Sequence, residues 1–168
     1  MYSLLRVSKA PLCLTVTLAV LATGTLAARA GDCPADQVMD GAVSSGETMP
    51  VGVTDTVLAS IDLTPKGEAF AGQLLRMRRL TIEPGGVVPW HEHSVRPANI
   101  YIISGSIEEY RANCKVPIVH KAGEVASEFG TGFAHWWKNV GAEPVVLISA
   151  DIFAPEAMAD EMKDPHQM

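Results

Sequence analysis

Two imidazoles one residue apart, in Trp90-His91-Glu92-His93, are the side chains of this sequence best suited to chemistry. Strand side chains alternate between faces, so His91 and His93 share a face, roughly 7 Å apart along the backbone, and Glu92 points away. Imidazole suits iron, manganese, nickel, copper, cobalt or zinc, and two on one face make half of a transition-metal site. A lone His-x-His also arises by chance on solvated surfaces, so the pair needs support from the rest of the chain.

The elements that would hold it are short and rich in Val, Ile and Leu. They run over 57–63, 74–82, 87–90, 100–104, 107–110, 118–119, at Val125, and over 133–137 and 145–152, each bounded by Gly, Pro, Asn or Asp. Many short strands with no helical stretch between them predict one all-β domain, an antiparallel barrel or sandwich. Pro84-Gly85-Gly86, Ser104-Gly105-Ser106 and Lys121-Ala122-Gly123-Glu124 read as turns between strands.

Gly85, five residues, His91, one residue, His93 and then Gly105 resemble the first motif of the cupin superfamily. Gly123, then Gly132, two residues, His135, three residues and Asn139 resemble the second. The resemblance spans roughly residues 57–153 and implies a double-sheet jelly-roll barrel. It further implies one divalent transition metal (Fe, Mn, Ni, Cu, Co or Zn) held by His91, His93 and His135, and dimerisation through sheet edges.

One position departs from the pattern. The glutamate that usually precedes the motif-closing glycine by seven residues is Ala98 here, and Asn99 has the wrong parity to replace it. Motif two carries Gly130 where a proline is common and an extra residue after Gly123. Three histidines without a carboxylate leave two or three positions for water or substrate, an arrangement that also occurs in some cupin-type thiol dioxygenases. Dioxygenase-type oxidation of a small organic molecule is the first functional expectation; a non-catalytic module that binds a ligand or metal is the alternative.

A substrate pocket is expected from Trp90, Ile102, Trp137 and Arg96, with core packing the plainer reading of the indoles and solvated loop charge that of Arg96. Of the pair Trp136-Trp137, only Trp137 shares the face of His135. Glu108 and Glu109 read as a surface pair unless the register turns one into the barrel, where it would be a candidate replacement acid. His120 reads as a surface or capping residue, and His166 as part of the tail. The run Arg76, Arg78, Arg79 reads as an outer face or an ion-paired contact, and Asn139 as a turn residue.

Around this domain (51–154) the sequence predicts a leader (1–30), an arm (31–50) and a short tail (155–168). Arg6 and Lys9 precede fifteen largely apolar residues, Leu12 to Leu26, and Ala28-Arg29-Ala30 fits a small-x-small cleavage site. Fifteen residues fall short of the roughly twenty that cross a bilayer, so the expectation is a cleaved signal peptide, a periplasmic or secreted protein and no stable membrane insertion after processing. The leader holds three of the thirteen Lys plus Arg and no acid, so ten remain against nineteen Asp plus Glu, a net −9 compared with −6 for the whole chain. That balance disfavours nucleic acid and anionic lipid, and favours a small-molecule ligand. Of the two cysteines after the leader, Cys33 and Cys114, a structural disulfide is expected, with a redox-active or metal-binding thiol pair as the alternative.

Overall fold

The computed structural model describes residues 31–154, so the readings of the leader and tail lie outside the described residues. Eight strands follow one another: β1 (Val51–Asp62), β2 (Leu74–Glu92), β3 (Ala98–Ser104), β4 (Ser106–Arg111), β5 (Ile118–Lys121), β6 (Val125–Glu128), β7 (Ala134–Lys138) and β8 (Val145–Phe153). Two short 3-10 turns, Thr64–Lys66 and Glu68–Phe70, separate β1 from β2, and there is no α-helix among the described residues. No described helix is long and apolar enough to cross a membrane.

All strand pairs are antiparallel. The 19-residue β2 belongs to both halves of the barrel: residues 74–82 pair with β8, and residues 87–92 pair with β7. One half therefore runs β1–β2–β8–β3–β6 and the other β2–β7–β4–β5. The sequence suggests two strands here with a turn between. The structure instead carries one ribbon through a bend at Pro84-Gly85-Gly86, where Gly85 has φ +78° and a Cβ on Gly86 would lie 2.7 Å from Glu83 O. The Gly85 N–H donates to Asn139 C=O and the Asn139 N–H to Gly86 C=O. The Asn139 side chain donates to Ile82 and Glu143 carbonyls, so this residue ties the bend to the end of β7.

Burial alternates along β3, β4, β5, β6 and β8, as a sheet with one face on a core requires. Leu80, Ile82, Ile100, Ile102, Ile107, Val145, Leu147 and Trp137 fill one end of the barrel. The inward residues toward the other end are polar: Arg76, Arg78, Ser149, Asp151, Glu128 and Glu109.

The arm is laid against the barrel. Cys33 is bonded to the buried Cys114 across 81 residues of sequence, Val38 bridges to Cys114, and the Met39 and Val43 N–H groups donate to Asn113 and Ala112 carbonyls. Farther on, Gly46 passes so close to the Trp136 indole that a Cβ there would lie 2.2 Å from it. Closing a loop of this length stabilises a fold by roughly 4 kcal/mol in the chain-entropy model. Replacing both cysteines by serine is expected to lower unfolding free energy in urea by a comparable amount while leaving the barrel histidines in place; an unchanged midpoint would show that the arm is held without the bridge.

Candidate metal centre

Strand pairing brings the histidines together. His91 on β2 lies directly across from His135 on β7, and a register irregularity between Val88 and His91 sets the local strand geometry just before them. His93 follows at the end of the ribbon, and the three ring centroids lie 4.6 to 5.0 Å apart. A fourth donor comes from a residue the sequence reading passes over: Glu128 at the end of β6. His91, His93, Glu128 and His135 each present a ligand atom within 4.8 Å of all the others.

Each imidazole is oriented by its Nδ1, which donates to a fixed oxygen. The acceptors are Pro89 C=O for His91 (2.8 Å), Arg96 C=O for His93 (2.7 Å) and the Glu109 carboxylate for His135 (2.6 Å). Trp137 Nε1 also lies 3.1 Å from His135 Nδ1, but a nitrogen bonded to a carboxylate that can only accept must carry the proton. In the neutral ring this fixes the tautomer that leaves the Nε2 lone pair free, the state a metal requires.

The four inward atoms crowd without satisfying one another. His135 Nε2 is 3.2 Å from His91 Nε2, His93 Nε2 is 3.1 Å from a Glu128 oxygen, and His135 Nε2 is 3.7 Å from the other. His93 Nε2 and Glu128 Oε1 are buried with no hydrogen-bond partner. Although His93 and Glu128 meet the distance for an ion pair, burial first and then the charge of His135 hold the His93 pKa down to about 3. His91 is likewise held well below its ordinary value, chiefly by burial. Burial pushes Glu128 up to about 7. Three imidazoles and an orphaned carboxyl fit a divalent transition metal, which would accept all four lone pairs and favour the ionised acid.

Residues behind the donors complete the centre. Glu109 accepts from His135, from His120 Nε2 (2.8 Å) and from Arg111 through two bonds (2.7 and 2.8 Å). Burial alone would raise its pKa, but these hydrogen bonds outweigh burial and hold it well below the carboxylate range. His120 is thus fully buried, contrary to the surface position expected for it, and Glu109 takes the inward register that was the alternative for the Glu108–Glu109 pair. Glu109 shares the parity of Ile107 on β4, and His120 stacks on Trp137 with ring centroids 4.6 Å apart.

Residues 78–151 match the Cupin_2 family of cupin domains. This stretch of the chain is a cupin domain. Its fold is similar to that of a predicted oxalate decarboxylase from Thermotoga maritima, at 20% identity and a TM-score of 0.50 over 66% of this chain and 96% of that one. A double-stranded beta-helix protein from Klebsiella pneumoniae gives 22% and 0.48 over 67% and 83%. The Cupin_2 domain of an XRE family transcriptional regulator from Enterobacter cloacae gives 16% and 0.45 over 62% and 99%. At these identities the likeness is one of fold. No curated protein matches the sequence.

Within the cupin barrel the missing glutamate has a counterpart one strand away. Ala98 on β3 pairs directly with Glu128 on β6, and both face inward. The methyl group of Ala98 leaves the space that a longer side chain there would occupy, and the carboxyl of Glu128 reaches the histidines from the neighbouring strand. The expectation of a site without a carboxylate is therefore corrected to three histidines and one glutamate.

Beside the centre lies a cavity of about 380 Å³ whose wall includes His91, His93, Glu128, Arg96 and Trp137. Trp90 and Ile102 do not line it. Ile102 is fully buried in the apolar core, and Trp90 is part-buried, with its backbone N–H on Glu47 C=O. Arg96 is buried rather than solvated, and Arg76 and Arg78 point inward while Arg79 is exposed.

The raised Glu128 pKa has a measurable consequence. A carboxyl whose folded pKa exceeds its ordinary value of 4.5 stabilises the fold below that pH and loses the contribution as pH rises through about 7. In metal-free protein, Glu128→Gln should gain stability relative to wild type across that window, by up to about 3 kcal/mol, and hold a constant difference above it. Chemical denaturation in EDTA at several pH values checks this; parallel profiles for the two proteins would contradict it.

Proposed function

We propose that this protein is an exported cupin that binds one divalent transition metal through His91, His93, His135 and Glu128 and uses it on a small organic molecule held in the adjoining cavity. The carrying observation is the convergence of two orphaned buried atoms, His93 Nε2 and Glu128 Oε1, with two further histidines already in the metal-ready tautomer. The small-x-small leader pattern and the Cys33–Cys114 bond support delivery to an oxidising compartment, periplasmic or extracellular.

A bound metal of this kind supplies Lewis acidity and, if redox-active, electron transfer to a substrate at its open positions. The chain's own residues do the rest. Pro89, Arg96 and Glu109 hold the imidazoles in place, while Leu80, Val88, Ile100, Leu147 and Trp137 give the adjoining cavity an apolar wall. Dioxygenase-type oxidation is the reaction to test first. The cavity beside the donors supports it, whereas Glu128 removes the resemblance to a carboxylate-free three-histidine site.

Protein purified without chelator or His-tag should contain about one equivalent of a single metal, lost in a His91→Ala, His135→Ala double variant. Glu128→Ala should weaken the metal by more than the roughly 10–100-fold that loss of an outer partner costs, and Ala98→Glu in that background should restore part of the affinity from the facing strand. Folded wild type that neither contains nor takes up metal would remove the metalloprotein reading. Metal retained without oxygen uptake on thiols, flavonols or diketones would leave a binding module.

A further inference from the structure

The cavity has a second polar group, beside the histidines and positively charged. Arg76 and Arg78 on β2 and Arg96 in the loop before β3 surround one buried carboxylate, Asp151 on β8. Arg76 takes it in the bidentate geometry, at 3.1 and 2.7 Å, which leaves Arg78 and Arg96 with contacts of 3.5 and 3.4 Å to the same oxygen. Arg78 is also paired to Asp55 and donates to Ser149 Oγ at 3.1 Å. Three guanidinium groups thus share two carboxylates. The next carboxyl, Glu128, is turned to His93.

Arg78, Arg96 and Ser149 all line the cavity, and the Nε–H groups of both arginines are buried without a hydrogen-bond partner. The Arg96 side chain is only 9% exposed. It is buried beside the like charge of Arg78, and the carboxylate both reach, Asp151, is already held by Arg76 in two bonds. A buried, unpaired charged donor is costly to keep, and its cost is recovered when an anionic acceptor arrives. Leu80, Val88, Ile100 and Leu147 supply apolar wall to the same cavity.

We propose that Arg96 and Arg78, with Ser149, form a carboxylate subsite, so that the ligand is a small organic acid whose apolar body lies along Leu80, Val88, Ile100 and Leu147. This deepens the reading of the cavity as a small-molecule site but does not need the metal. The acidic surface of the protein then surrounds a locally cationic pocket, which selects for acids small enough to enter it.

Isothermal titration calorimetry, with protein as purified and after chelation, would compare hexanoate, benzoate and phenylacetate with their neutral amides. At least one acid is expected to bind at least about tenfold more tightly than its amide, the size of a charge-assisted hydrogen bond. The preference should persist after chelation, disappear in Arg96→Gln and survive in Arg79→Gln, which alters the exposed arginine next to Arg78 on β2. Acids and amides that bind alike in wild type would overturn the proposal, as would a preference abolished by chelation and retained in Arg96→Gln, because the carboxylate would then sit on the metal. Should Arg96→Gln not fold, the chelated wild-type comparison decides alone. Absence of metal with the acid preference intact would refute the metal reading and leave this subsite standing.

Discussion

Three Nδ1–H···O hydrogen bonds set the geometry on which the rest of this centre depends. Two of the acceptors are main-chain carbonyls of the segment that carries the histidines, Pro89 and Arg96, and the third is Glu109 on β4. Because backbone and buried carboxylate oxygens cannot donate, all three imidazoles are driven to one tautomer and present Nε2 to a common point. The ribbon β2 makes this possible by bending at Pro84-Gly85-Gly86, so that one strand can pair with β8 in its first half and bring His91 opposite His135 in its second.

The barrel is divided along its interior. Its apolar end holds the strands together through Ile82, Ile102, Ile107 and Val145, which are fully buried. The polar interior gathers buried charge in two groups, one around Glu109 behind His135 and one around Asp151 behind the cavity. In the first, one carboxylate accepts from His120, His135 and Arg111, and its hydrogen-bonding capacity is used within the protein. In the second, guanidinium groups outnumber carboxylates and two Nε–H groups have no acceptor. The first arrangement suits a support that holds a ligand residue still, and the second suits a surface that awaits a partner.

Much of this was legible in the sequence because it follows from alternation and turn chemistry. His91 and His93 share a face, Trp137 shares that of His135, and Asn139 secures the turn beyond β7, all as period two and side-chain bonding to backbone require. Glu128 was not legible in the same way. The strand expected there stops at Val125, and the replacement acids considered, beside Ala98 and at Glu108–Glu109, leave out the strand that pairs with Ala98, since cross-strand pairing is invisible along a linear sequence. Glu109 was within reach: Ile107 is an inward residue of β4, and the same parity turns Glu109 and Arg111 in with it. His120 was placed by the turn that follows it and Arg78 by its charge, although each shares parity with an inward apolar neighbour, Ile118 and Leu80 respectively.

The most direct test of the central claim is anomalous diffraction at the metal edge from crystals of protein purified with its metal. The account predicts one peak per chain within bonding distance of His91 Nε2, His93 Nε2, His135 Nε2 and a Glu128 oxygen. A peak bound by the three histidines with Glu128 turned away, or no peak among them in protein that contains metal elsewhere, would contradict it.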